Sequence, residues 1–282
     1  MKKILVPTDF SKTSENALLY AIELAKAEDA KLILLHVDPT ETANPDVLYP
    51  EAIETIKKEA KKELDDLTSK ITQTGKIKYE SLIKEGFIFE TILNVIKEKE
   101  VDLVVMGTKG EGSLSNMIFG SNTAKIIEKA RCPVIAVPEG VEFNPIKKIT
   151  YATAYHHSDI NCLKKIIEIA KPFNAQIDVL HISDIEQSPD SEKEMMKKFM
   201  NEVNEKVQYT NMSFQLLSGK KIEKALEKYL EKDSTSILAL STHQRDFFDK
   251  LFGKSITKHM AYHTKTPLIA FHHTNESAIK LI

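Results

Sequence analysis

Two short segments of the chain carry residue types that could bind a phosphorylated ligand. The first is the run MGTKGEGSLSNMIFGSNTAKII, in which Gly107, Gly110 and Gly120 stand at spacing G-x2-G-x9-G and Ser121 and Thr123 follow. Glycines let backbone N–H groups approach a phosphate closely, and a helix N-terminus adds unsatisfied N–H groups and a positive dipole end. The two hydroxyls could donate to phosphate oxygens. The same spacing is also compatible with a flexible loop that only caps a helix.

The second segment is Pro7-Thr8-Asp9, directly after the apolar run Ile4 to Val6. A carboxylate at the end of a buried strand could accept a hydrogen bond from a ligand hydroxyl or amine. The alternative is an aspartate that precedes a helix and is stabilised by the helix dipole. The sequence contains no G-x4-G-K-[ST] phosphate loop, and the turn after the first strand has no glycines, so the dinucleotide fingerprint is absent as well.

The elements around these segments alternate between strands and helices. In the first half the pattern predicts strands at KILVPT, KLILLHV, IKYESLIKEG, VDLVVMG and PVIAVP, with helices over 11–26, 50–71, 89–99 and 120–130. Continuous apolar strands separated by helices predict a parallel sheet covered on both faces. Such a sheet binds ligands at its carboxyl edge, where the order of strands reverses.

An internal repeat sets the number of domains. Residues 2–39 match residues 147–184 at a constant shift of 145 without a gap, with identical pairs that include Thr8/Thr153 and His36/His181. The later parts of the two halves also match, with small slips. Gly140 and Pro145 mark the boundary. We therefore predict two domains of one α/β fold, 1–143 and 144–282.

Composition excludes several classes of protein. The 282 residues include 39 basic and 41 acidic side chains, a net charge of −2, which argues against binding of nucleic acid mainly through phosphates. Two cysteines, Cys132 and Cys162, cannot make a disulfide framework. No apolar run approaches the 18 residues of a membrane span, and the first apolar run is too short for a signal peptide. We expect a cytoplasmic protein with no membrane partner.

The glycine motif after the fourth strand, together with Pro-Thr-Asp after the first, resembles the ATP-binding type of the universal stress protein family, in two tandem copies. The resemblance implies a doubly wound sheet of five parallel strands in the order 3-2-1-4-5. It implies that ATP is held with Mg2+ or Mn2+ on its phosphates. The positions that the resemblance assigns to the ligand are Pro7, Thr8 and Asp9 at the adenosine end, Val37 at adenine, Met106, Gly107, Thr108 and Gly110 at ribose and phosphates, and Gly120, Ser121, Asn122 and Thr123 at the terminal phosphates.

The second copy departs from this pattern. Ala152 and Ala154 stand where the first copy has Pro7 and Asp9, and Ser241 and Gln244 replace the first two glycines of the motif. Gly253 matches Gly120 but is followed by lysine. We predict that this copy does not bind ATP in the family manner.

Histidines are concentrated in the second copy, which holds eight of the nine. His156, His157 and His243 follow predicted strands and could bring imidazoles to the same edge, where they are weak candidates for a metal site. The alternative is a set of unrelated surface and structural histidines. His36 and His181 occupy equivalent strand positions and are expected to be structural.

The leading hypothesis is an ATP-binding regulatory protein of the stress response with one nucleotide site, in the first domain, and an unidentified protein partner. Two alternatives stay open: an ATP-hydrolysing or group-transfer enzyme that uses the second domain as substrate site, and a module that binds a metal or small ligand. No nucleophile–base pair is visible, so no catalytic residue is assigned. The fifth strands of the two copies, VIAVP and LIAFH, could pair within the chain as a pseudo-dimer, or the chain could form a homodimer.

Overall fold

The computed structural model describes residues 1–39, 50–108, 120–156, 158–183, 189–219, 222–232, 236–241 and 266–271. The chain divides into two compact units, Met1–Phe143 and Asn144–Ile282. Each unit is an α/β structure built around five parallel strands, and each is described by itself below.

The first unit has its strands in the order β3-β2-β1-β4-β5, with all neighbours parallel. Strands β1 and β4 are therefore adjacent, although three helices and two strands separate them in sequence. Their register pairs Ile4 with Leu103 and Leu5 with Val104, an offset of 99 residues. The elements of this unit are β1 Lys3–Thr8, α1 Lys12–Glu28, β2 Lys31–Asp38, α2 Pro50–Gln73, β3 Tyr79–Glu85, α3 Ile88–Glu98, β4 Leu103–Gly107, α4 Ser121–Lys129 and β5 Val134–Val137.

Helix α1 shows how the sequence builds this unit. Ser11 caps it, and its side chain accepts a hydrogen bond from the backbone N–H of Ser14, which satisfies one of the donors that a helix start leaves unpaired. Asp29 ends the helix in the left-handed conformation. Ala17, Leu18 and the residues that follow at helical spacing are fully buried against the sheet, so the first turn of α1 is held at the carboxyl ends of β1 and β4.

The second unit repeats this arrangement, with strand order β10-β9-β6-β7-β8 and parallel neighbours. Numbered within the unit, that order is again 3-2-1-4-5. Its elements are β6 Lys148–Ala152, α5 Asp159–Ala170, a 3-10 turn Lys171–Phe173, β7 Gln176–Ser183, α6 Pro189–Lys206, β8 Met212–Ser218, α7 Ile222–Lys232, β9 Ile237–Ser241 and β10 Leu268–Phe271.

A buried charged network distinguishes the second unit from the first. Asp178 on β7 is fully buried and stands where the first unit has Ile33. Its carboxylate accepts from the hydroxyls of Ser213, at 2.5 Å, and Tyr229, at 3.0 Å, and lies 3.1 Å from Nζ of Lys148. Burial alone would raise the pKa of Asp178, but these hydrogen bonds and the lysine outweigh it and lower the pKa.

The predicted fold class and strand order are confirmed in both units. In the first unit, strand and helix positions agree with the sequence prediction to within a few residues at each end. Within the described residues, no helix combines the length and the apolar character needed to cross a bilayer.

Candidate functional site

The end of β1 forms a tight turn that the two halves of the chain share. Phe10 takes a left-handed conformation, with φ of 65°, which costs a residue other than glycine about 1–2 kcal/mol. Two contacts of Phe10 stabilise the turn. Its backbone N–H donates to Oγ1 of Thr8 at 3.0 Å, and its ring stacks on that of His36 with 4.3 Å between the ring centroids. The adjacent Nδ1 of His36 donates to the carbonyl oxygen of Thr8 at 3.0 Å. His36 is therefore structural, as predicted.

This turn fixes the carboxylate of Asp9 at the start of helix α1. Its Oδ1 accepts from the N–H of Ser11 at 3.1 Å and from the hydroxyl of Ser11 at 2.6 Å. The residue is only half-buried, and the sequence left open whether it serves the helix or a ligand. These bonds show that Asp9 supports the first turn of α1. They also hold the carboxylate still at the carboxyl edge, which is the condition for a ligand contact.

The order of strands brings the two sequence motifs together. Continuing the β1–β4 offset of 99 by three residues places Thr8 level with Gly107. Thr8 is buried, and its hydroxyl lies 3.0 Å from that of Ser14. Asp9 and the start of the glycine motif therefore lie at the same edge of the sheet, beside each other.

Gly107 is needed for a reason that the sequence did not suggest. A Cβ at this position would lie 2.7 Å from Cγ2 of Thr13 and 3.0 Å from the backbone carbonyl group of Thr13. Those distances are too short for any side chain. The glycine therefore lets helix α1 approach the end of β4, whereas the resemblance assigned it to the ribose and phosphates.

After residues 109–119 the chain returns to the carboxyl end of β4. The N–H of Thr108 donates to the carbonyl of Val137 at 3.0 Å, and the N–H of Gly120 donates to the carbonyl of Thr108 at 2.7 Å. This pair of bonds ties the start of α4 to the end of β4. Gly110 lies outside the described residues, and its role stays a prediction.

Helix α4 presents its N-terminus at this edge. Gly120 is the capping residue, and the first bond of the helix runs from the N–H of Ala124 to the carbonyl of Gly120. The N–H groups of residues 121–123 therefore have no partner within the helix, and the dipole adds positive character. Ser121 is exposed and Asn122 is half-buried. This end of the helix can bind an anion through its backbone.

Thr123 has a different position from the one predicted for it. It is buried, and its hydroxyl donates to the carbonyl of Gly107 at 2.9 Å. The hydroxyl is thus committed to joining α4 to β4, so we correct its assignment from phosphate donor to structural residue. Pro7, Val37 and Met106 are also largely buried, so each can offer a ligand only a small part of its surface.

Comparison with known proteins identifies the family. The family model described as universal stress protein family matches residues 1–138. Universal stress protein YxiE of Bacillus subtilis is 36% identical over 145 residues, which are 48% of this chain and 97% of that protein. Universal stress protein MJ0577 of Methanocaldococcus jannaschii is 33% identical over 154 residues, which are 48% of this chain and 94% of that protein.

The chain belongs to the universal stress protein family. A universal stress protein from Archaeoglobus fulgidus has a crystal structure similar to the whole chain, with a TM-score of 0.75 and 97% of each chain covered. At 16% identity this likeness shows the fold. It extends over the second unit, which the family model does not reach.

The second unit of this universal stress protein builds the same turn with different residues around it. Tyr155 has a φ of 61°, stacks on His181 at 4.3 Å, and donates its N–H to the hydroxyl of Thr153. The adjacent Nδ1 of His181 donates to the carbonyl of Thr153 at 2.8 Å. The sequence signal for this turn was the identity of threonine and histidine in both copies, but its aromatic residue was not recognised.

The metal candidates of the second unit are only partly visible. His156 is exposed and its N–H donates to Asp159 at 3.1 Å, whereas His157 and His243 lie outside the described residues. In the part of the chain that the structure describes, no three histidine, cysteine or acidic side chains are grouped as metal ligands would be. Burial raises the pKa of the Cys162 thiol to about 12, so at neutral pH it is not a thiolate ligand.

Proposed function

We propose that the first unit binds ATP at the carboxyl edge of β1 and β4 and that the protein regulates a stress response through this nucleotide. Membership of the universal stress protein family supports the stress-response role. The ATP site rests on the glycine motif and on the Pro-Thr-Asp segment, whose described parts lie beside each other.

The donor set at this edge fits a triphosphate. The N-terminus of α4 offers backbone N–H groups and a positive dipole end. Gly120 has no side chain that would obstruct the approach of a phosphate to these groups. Asp9 is an acceptor for ribose hydroxyls, held in place by Ser11. Bound ATP would supply the negative charge that satisfies the helix terminus, with Mg2+ or Mn2+ on its phosphates.

The observation that carries this proposal is the junction of Gly120 with Thr108. The 2.7 Å bond between them places the start of α4 next to the end of β4, and hence close to Asp9, which directly follows β1. In the second unit the matched positions carry Ala154 for Asp9 and Ser241 for Gly107. We infer that the second unit does not hold ATP in the same way.

Substitution of the two matched glycines tests the proposal. Gly120 has a φ of −58°, so valine there adds no left-handed strain and costs the fold only about 1 kcal/mol as a poorer cap. Its branched side chain would occupy the path of the phosphates. Calorimetric titration with ATP and Mg2+ should show affinity reduced at least tenfold in Gly120→Val.

The matched control is Gly253→Val, the aligned position of the second copy, which should leave affinity unchanged. Equal losses in both variants, or none in Gly120→Val with an unchanged circular dichroism spectrum, would contradict a phosphate site at the start of α4.

A further inference from the structure

The second unit has a cavity of about 80 Å3 at its own carboxyl edge. It lies at the ends of β6, β7 and β9 and between the starts of α5 and α7, at the place that corresponds to the proposed nucleotide site of the first unit. It is lined by Ala152, Thr153, Ala154, His156, Asp159, Leu180, His181, Ile182, Ile222 and Ser241.

The substitutions between the two copies change the charge of this edge. Asp159 stands where the first copy has Ser14, and it lines the cavity while being only 2% exposed. A second carboxylate, Glu192 on α6, is equally buried, and its Oε2 lies 3.1 Å from Nε2 of His181. Although the distance is short, that oxygen accepts no hydrogen bond among the described residues. Neither lysine nor arginine is among the described residues that line the cavity.

The polar groups of the lining are arranged to accept from a ligand. The hydroxyl of Thr153 already donates to Oδ2 of Asp159 at 2.5 Å and accepts from the N–H of Tyr155. Nδ1 of His181 already donates to the carbonyl oxygen of Thr153, and its Nε2 faces Glu192. The hydroxyl of Thr153 and the backbone N–H of His156 both donate to Oδ2 of Asp159, and we assign Oδ1 to the ligand. An anion would meet the carboxylate of Asp159 in this cavity, whereas a cationic donor would find an acceptor there.

Size and apolar walls limit the ligand further. Alanines, leucine and isoleucines make half of the lining, so the ligand needs an apolar body next to its charged group. An apolar cavity of about 150 Å3 holds benzene. At about 80 Å3 this cavity is a little over half that size, so it suits an apolar body of roughly three non-hydrogen atoms, smaller than any nucleotide.

We propose that the cavity of the second unit binds a small aliphatic or cyclic amine in its ammonium form, with Asp159 as the anchoring carboxylate. The second copy is then a site for a different class of ligand from the one we assign to the first copy. This proposal does not depend on ATP binding in the first unit.

Methyl NMR of the full chain tests the proposal with two probes of one size. Azetidine is a cation with N–H donors at neutral pH and has three ring carbons, whereas oxetane has a ring of the same size without charge or donor. Azetidinium should shift the methyl signals of Leu180, Ile182 and Ile222 at concentrations at least tenfold lower than oxetane does. Signals of the first unit, such as those of Ile4, should not move.

Two variants identify the anchor and the cavity. Asp159→Asn keeps the size and should reduce the affinity for azetidinium at least tenfold, which removes the preference over oxetane. Ala154→Leu should fill the cavity and abolish the responses to both probes. Because this variant keeps the carboxylate of Asp159, it still tests the proposal if Asp159→Asn does not fold. Equal responses of the native chain to the two probes, no response to either, or an azetidinium response that survives Ala154→Leu would each overturn the proposal.

Discussion

Replacing Gly107 by alanine tests how closely helix α1 and strand β4 determine the geometry of the candidate site. The new Cβ would lie 2.7 Å from Cγ2 of Thr13 and 3.0 Å from its backbone carbonyl carbon and oxygen. Contacts of this length force a shift of helix or strand, and overpacking of this kind costs about 1–3 kcal/mol. We expect a loss of about 2 kcal/mol, with the first turn of α1 and the bonds from Asp9 to Ser11 displaced.

The second copy suggests the matched rescue. Its aligned positions carry Ser241 for Gly107 and Ser158 for Thr13, so a side chain on the strand is matched there by a smaller residue at the start of the helix. Thr13→Ser removes the Cγ2 atom that makes the shortest contact. The double variant Gly107→Ala/Thr13→Ser should therefore recover part of the lost stability, although the 3.0 Å contacts with the backbone remain.

Hydrogen exchange measured by mass spectrometry gives a local readout in a chain with two units. Amides of α1 that open locally should exchange about 30-fold faster in Gly107→Ala, since a factor of ten corresponds to about 1.4 kcal/mol. The second unit should show no change. The reasoning is refuted if α1 exchanges at the native rate in Gly107→Ala, or if Thr13→Ser leaves the loss unaltered.

Three further predictions concern single side chains. Asp178→Ala should destabilise the second unit by about 3–5 kcal/mol, because it leaves the largely buried charge of Lys148 without its carboxylate partner. An unfolding transition at the native temperature in scanning calorimetry would contradict this prediction. Because the pKa of Asp178 is lowered in the folded protein, its stabilisation is present above the ordinary pKa of about 3.9 and is lost as the pH falls below it. The urea midpoint of unfolding should therefore fall less between pH 5 and pH 3 in Asp178→Asn than in the native chain. An equal fall of the midpoint in both proteins would contradict this prediction. Tyr155→Phe removes a buried hydroxyl that accepts and donates no hydrogen bond among the described residues, and it introduces the residue that the first unit has as Phe10. The free energy of unfolding should therefore stay the same or rise by about 1 kcal/mol. A marked decrease of the thermal unfolding temperature would contradict this and reveal a partner for the hydroxyl.

Much of the fold follows from sequence pattern because the strands are continuous apolar runs and the helices show apolar residues at helical spacing. Ser11 begins α1 as a capping residue, and the run from Ile4 to Val6 is fully buried. The order of strands did not follow from these patterns and came only from the family resemblance, because pairing between β1 and β4 is set by contacts distant in sequence.

The site was predicted less completely than the fold. The glycine spacing located the region, but the hydrogen bond from Thr123 to Gly107 and the approach of Thr13 depend on how a helix packs on a strand. Neither contact leaves a periodic signal in the sequence. The left-handed Phe10 is similarly a property of the turn, stabilised by His36, a residue 26 positions away in the chain.

The number of ATP molecules bound per chain tests the central claim most directly. Native mass spectrometry of the intact protein with ATP and Mg2+ should show one bound nucleotide. That nucleotide should be lost in Asp9→Ala, the residue that the second copy carries naturally as Ala154. Two nucleotides per chain, or one that persists undiminished in Asp9→Ala, would contradict a single site built on the first unit.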